Sequence, residues 1–182
     1  MSVIHERMGV RDLAALVCSN LERHGIRAVL SGGAVVTIYS NNAYQSDDLD
    51  FIVEGLAKKV DPAMLELGFE KTPGRHWIHP RTVFYVEFPR GPLQAGGAQV
   101  REHAEIKTSY GVLRLLAPTE CAMDRLAAYY HWNDPQGLDQ AVEVAARHDV
   151  DLKRIGSWSK AEGASRKFND FTELLAEKRS LD

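Results

Sequence analysis

Residues 48–53 read Asp-Leu-Asp-Phe-Ile-Val. In an extended strand, residues two apart share a face. Asp48 and Asp50 therefore project side by side, while Leu49, Phe51 and Val53 turn the other way, towards a core. Taken alone, an Asp-x-Asp strand is more often a solvated edge than a site. Its context narrows that choice. Residues 27–31 (RAVLS) predict a short strand that runs into Gly32-Gly33, and the apolar segment GAVVTIYS follows as a helix. The glycine pair makes this unit strand-turn-helix.

A third acidic residue, Glu87, lies in the alternating run 84–88. Phe84, Val86 and Phe88 share one face, so Glu87 points to the other. Pairing this strand beside 48–53 brings Glu87 next to Asp48 and Asp50. Carboxylates held that close repel one another and raise each other's pKa unless a cation sits between them. Mg²⁺, or Mn²⁺ in its place, suits such a group, because it takes carboxylate oxygens and keeps positions for substrate phosphates. Three carboxylates suffice for two metal ions that clamp an in-line phosphoryl displacement. The Gly32-Gly33 backbone, with no Cβ in the way, suits a triphosphate, with Ser31 as a weaker partner.

The rest of the chain organises around this unit. The apolar residues Val10, Leu13, Leu16, Val17 and Leu21 predict a helix over 10–23. A helix is expected over 56–67, split or restarted at Asp61-Pro62. Trp77-Ile78 and 83–88 predict a hairpin turning at 79–82, 89–97 a loop, and 105–109 with 112–116 a second hairpin. Helices are expected at 119–131, from Asp134-Pro135 onwards, and at roughly 164–178. The fold class is thus α/β (α+β): a mixed sheet flanked by helices over 1–116, then a helical part over 117–182.

Length and composition agree with one ordinary globular unit. The chain has 182 residues, 45% of them hydrophobic and 26% charged, with a net charge of -3. A chain of this size buries roughly 70% of its unfolded surface and needs no disulfide or structural metal. The mild acidity excludes a strongly basic nucleic-acid coat. Cys18 and Cys121 stand far apart in predicted helices and read as buried free thiols. No basic-then-apolar leader and no apolar run of membrane-spanning length is present, so a cytoplasmic location without membrane contact is expected.

Ser31-Gly32-Gly33, Asp48-Leu49-Asp50-Phe51 and Val86-Glu87-Phe88 together resemble the nucleotidyltransferase superfamily, the DNA-polymerase-β-like minimal transferases. The resemblance covers roughly residues 26–147 and is nearest to the bacterial AbiEii-type toxin and related uncharacterised transferases. It implies a nucleotidyltransferase-like sheet with a helical C-terminal part. It further implies metal-dependent transfer of a nucleotidyl group from an NTP, such as ATP, to an acceptor hydroxyl, with pyrophosphate leaving. Asp48, Asp50 and Glu87 become the catalytic and metal-holding residues, and Ser31, Gly32 and Gly33 the triphosphate cradle. The acceptor class stays open among RNA or a tRNA end, a protein and a small molecule, and an antitoxin-like partner protein is a further implication. Such relatives often have serine where this chain has Gly33, and a lysine early in the helix after the sheet. Arg125 stands there instead and is expected to face phosphate; Lys107 is a second, weaker candidate. Two other readings stand beside this one. The first is a catalytically inactive module that binds nucleotide or a partner. The second is a hydrolase using the same carboxylates.

Other clusters read more plainly. His76 and His79 fall on opposite faces of a strand and predict surface or loop histidines in preference to a zinc site. Tyr129 shares a helix face with Arg125. Arg166 and Lys167 are expected on an exposed helix face.

Overall fold

Leu49, Phe51 and Val86, the residues between and beside the acidic ones, are completely buried, so the alternation of the acidic strands is used as the sequence implies. A computed structural model describes residues 3–54, 59–74, 76–89, 94–95, 98–100 and 102–181. Helix α1 (Val10–Arg23) leads into strand β1 (Arg27–Ser31), helix α2 (Gly33–Tyr39) and strand β2 (Asp48–Glu54). Helix α3 (Val60–Glu66) follows, with Pro62 in its first turn, where a missing N–H costs nothing. The expected start of this helix, 56–58, lies outside the described residues.

Strands β3 (Glu70–Lys71), β4 (Trp77–Ile78) and β5 (Tyr85–Glu87) come next. Then follow β6 (Gln94–Ala95), β7 (Ala98–Gln99), β8 (His103–Thr108) and β9 (Gly111–Leu116). Seven of these strands form one mixed sheet in the order β3-β4-β5-β2-β1-β9-β8. β2 lies at its centre, antiparallel to β1 and parallel to β5. β9 runs parallel to β1 on its far side. Of the segment 89–97, expected as a loop, residues 90–93 and 96–97 lie outside the described residues; Gln94 and Ala95 instead pair with Gln99 and Ala98 in a separate two-stranded sheet.

Four helices complete the chain: α4 (Pro118–Trp132), α5 (Pro135–Arg147), α6 (Leu152–Ala161) and α7 (Ser165–Leu181). Asp134 caps α5 by accepting from Gln136 N, with Pro135 at the first helical position. α6 has no counterpart in the sequence expectations. Asp151 starts it by accepting from Arg154 N at 2.9 Å, and Ile155 and Trp158 bury its inner face.

The buried side chains form two clusters. One unites α1, the sheet, α2 and α3, with Cys121 and Val144 reaching in from α4 and α5. The other lies among α4–α7, around Leu126, Ile155, Phe171 and Leu175. Both cysteines are free and buried. Lys167 departs from the exposed face expected of it. Its Nζ donates to Tyr129 O at 2.7 Å, Tyr130 O at 2.9 Å and Asn133 Oδ1 at 2.6 Å. It thereby closes the C-terminus of α4, whose carbonyls lack helical partners. Among the described residues no helix is long and apolar enough to cross a membrane.

Candidate active site

Strand register sets the three acidic residues on one face of the sheet. Ser31 on β1 pairs with Asp50 on β2, and Asp50 pairs in turn with Glu87 on β5. Asp48 stands two residues earlier on β2, opposite Tyr85. Residues in register share a face, so Asp48, Asp50 and Glu87 project together while Leu49 and Val86 enter the core.

Burial and mutual repulsion tax this group. Asp48 is raised to about 6, first by desolvation and then by the Glu87 charge, with His76 acting in the opposite sense. Asp50 is raised to about 7 by desolvation, then by Asp48 and Glu87, with Arg125 opposing. The Tyr85 phenol is also raised, by its own burial and by the neighbouring carboxylates. Asp48 Oδ1 is buried and has no hydrogen-bond partner. An orphaned carboxylate oxygen beside two further acids is suited to a cation.

Among the described residues, no three His, Cys, Asp or Glu side chains form a ready-made metal cage. Mg²⁺ takes few protein carboxylates and completes its octahedron with water and substrate phosphate, whereas a structural zinc site closes on four protein ligands. An all-carboxylate donor set with one orphaned buried oxygen is of the kind Mg²⁺ takes.

The glycine pair has two distinct jobs. Gly32 adopts φ +73, and a Cβ there would lie 2.6 Å from Asp50 Oδ2. Both the conformation and the close approach demand glycine. A Cβ on Gly33 would meet Ser46 Oγ at 3.0 Å and Tyr44 Cε1 at 3.5 Å, so this residue is small because the 44–46 loop folds over it. Ser31 Oγ donates to Asp50 O at 3.2 Å and so ties β1 to β2 beside the acids.

Arg125 on α4 is near enough to lower the pKa of Asp50. Its guanidinium is held by Asp124 Oδ2 at 2.6 and 3.1 Å and by Gln140 Oε1 at 3.4 Å. Tyr129, expected to share its surroundings, instead donates to Asp170 on α7 at 2.9 Å. Lys107 is not brought to the site. It pairs with Val112 at the start of β9, while Leu30 pairs with Leu115. That places Lys107 at the other end of the sheet, about 13 Å along the strands and about 14 Å across them from Asp50.

The residue that sequence reasoning missed is His76. Trp77 pairs with Val86, so His76 falls across from Glu87, and its Nε2 contacts Glu87 Oε1. Its ring lies 4.9 Å from that of Tyr85. His79 turns the other way, buried against Phe69 with ring centroids 5.3 Å apart. The opposite-face reading of the two histidines is therefore correct, but the face given to His76 carries the acids.

No protein-family model and no curated protein matches the chain. Among solved structures, it is similar to an antigenic nucleotidyltransferase-like protein from Paracoccidioides brasiliensis, with a TM-score of 0.58 and 13% identity. The match covers 78% of each chain. At that identity the likeness speaks of architecture, and the architecture is nucleotidyltransferase-like.

Proposed function

We propose that this chain transfers a nucleotidyl group from an NTP to an acceptor hydroxyl, releasing pyrophosphate. The observation that carries the reading is the convergence of Asp48, Asp50 and Glu87 on one face of adjacent strands, with Asp48 Oδ1 buried and unpartnered. Two of these carboxylates are raised to about 6 and about 7, a standing cost that an ordinary structural aspartate does not carry.

In this reading Asp48 and Asp50 hold the divalent cation that accompanies the triphosphate, and Glu87 completes the set. When bound, such cations neutralise the charge that builds on the transferring phosphoryl group and the departing pyrophosphate. The backbone at Gly32 and Gly33 lets the triphosphate come close to Asp50, and Arg125 supplies the nearby positive charge. The acceptor oxygen forms a bond to the α-phosphorus as the bond to the bridging α–β oxygen breaks. Pyrophosphate leaves with that electron pair, and the hydroxyl proton passes to Glu87.

The test is pyrophosphate release with each NTP, with and without Mg²⁺, and with total RNA, protein or a small hydroxyl compound as acceptor. Asp50→Asn serves as the control. Mg²⁺-dependent release that the variant abolishes supports transfer. Free phosphate or nucleoside monophosphate without an acceptor adduct indicates a hydrolase. Binding of NTP without turnover indicates the silent module, a reading favoured by one observation, the engagement of Arg125 with Asp124 and Gln140.

A further inference from the structure

The carboxylate of Glu87 is gripped from outside the acidic group. His76 stands directly across from it in the β4–β5 register, one residue before Trp77, and its Nε2 meets Glu87 Oε1. A carboxylate only accepts, so Nε2 carries the hydrogen and the imidazole donates. The backbone of His76 is fixed too: its carbonyl accepts from Thr72 N at 2.9 Å and from Thr72 Oγ1 at 3.1 Å. The Tyr85 ring lies 4.9 Å from the imidazole. A histidine held at backbone, ring and Nε2 is a fitting, not a passing surface contact.

We propose that His76 is a positioning residue for Glu87: it holds Oε1 so that Oε2 is presented to the divalent cation. This rests on the functional reading above. Carboxylates that ligate metals are themselves commonly hydrogen-bonded, and loss of such a partner typically weakens metal affinity by about 10–100-fold. The imidazole acts through its Nε2–H donor. Glutamine, whose amide nitrogen reaches about as far as Nε2, retains the donor.

The experiment is a Mn²⁺ titration of the nucleotide-free protein, followed by the EPR signal of free Mn²⁺. It is run on the parent, His76→Ala, His76→Gln, Glu87→Gln and the double variant His76→Ala/Glu87→Gln. The His76 side chain is 48% exposed, so its truncation opens no core. The expected result is a loss of about 10–100-fold in Mn²⁺ affinity for His76→Ala and near-parental affinity for His76→Gln. In the Glu87→Gln background, removing His76 adds nothing, because its effect passes through that carboxylate. The Mg²⁺ concentration for half-maximal pyrophosphate release moves in the same order. Unchanged affinity in His76→Ala overturns the proposal. So does equal loss in the Ala and Gln variants, which makes His76 itself a ligand. Tighter binding in His76→Ala overturns it as well, making the histidine a competitor for Glu87. A parent that binds no Mn²⁺ refutes the metal-dependent reading as a whole, and so separates that failure from a failure of His76.

Discussion

Replacing Asp50 with asparagine removes a charge that the metal-free fold holds at a cost. Asp50 is raised to about 7 from an ordinary 3.8, chiefly by burial and then by Asp48 and Glu87. At about 1.4 kcal/mol for each tenfold change in proton affinity, that difference has a ceiling near 4 kcal/mol at pH 8. The group is partly open to solvent and titrates together with Asp48, so a working figure is about 1–2 kcal/mol. Asparagine has the same shape and carries no charge. In EDTA at pH 8, Asp50→Asn is therefore expected to melt higher than the parent, by roughly 2–8 °C for a chain of this length.

The sign of the pH dependence follows from the same shift. A carboxyl raised in the folded state binds more protons folded than unfolded between about pH 4 and pH 7, so stability falls as pH rises through that window. Buried His79 is lowered in the folded state and acts in the opposite direction, losing stability as pH falls through its ordinary 6.5. The informative quantity is thus the difference between parent and variant. The advantage of Asp50→Asn should be largest at pH 8 and shrink towards pH 5, where the parent's Asp50 is already protonated. Paired thermal melts at the two pH values, in EDTA and in Mg²⁺ with NTP, measure it. Ligand should stabilise the parent by mass action and the variant much less. A variant that melts below the parent at pH 8 in EDTA, with the parent indifferent to Mg²⁺-NTP, would refute the reasoning. Asp50 would then be a structural aspartate.

Further outcomes can be tested independently. Gly32→Ala forces a side chain into φ +73 and to within 2.6 Å of Asp50 Oδ2; it should cost about 1–3 kcal/mol in urea unfolding and abolish pyrophosphate release. Arg154→Ala removes the guanidinium 2.7 Å from the buried carboxylate of Glu120, which keeps the Glu102 N–H; denaturant melts should show a loss of about 1–3 kcal/mol. Lys167→Met removes three hydrogen bonds at the end of α4; it should cost about 1–3 kcal/mol and leave nucleotide affinity unchanged in a fluorescent-NTP titration. Lys107→Ala, at the far end of the sheet, should leave both NTP affinity and pyrophosphate release at parental values.

Elements with one strong periodicity were readable from the chain. α1 buries Val10, Leu13, Val17 and Leu21, the residues whose spacing predicts it, and α5 starts at the cap and proline that announce it. α6 was not readable in the same way. Its buried contribution is confined to Ile155, Trp158 and Ser159, so its apolar face spans little more than one turn. Its stability comes from packing against α4 and α7, which local propensity does not report. The short β6–β7 pair is invisible for a related reason, since two-residue strands carry no alternation to detect.

At the site, face was legible and register was not. Parity alone puts Asp48, Asp50 and Glu87 on the solvent side of their strands, because Leu49, Phe51 and Val86 need the core. Parity also binds His76 to Glu87. A hairpin turning symmetrically at 79–82 pairs Ile78 with Val83, and so His76 with Tyr85. The structure pairs Trp77 with Val86, two residues further along, which moves His76 to Glu87. A slip of two residues leaves each side chain on its own face, whereas a slip of one would have turned His76 to the core. His76 was therefore within reach of the sequence once β5 was recognised as an acidic strand. Its nearness to His79 suggests a zinc pair and hides it, because its partner is a carboxylate on the next strand. Lys107 failed for the complementary reason. Its distance from Asp50 depends on which end of β9 lies beside Ser31, and the parallel pairing of β1 with β9 comes from a crossover that no local pattern encodes.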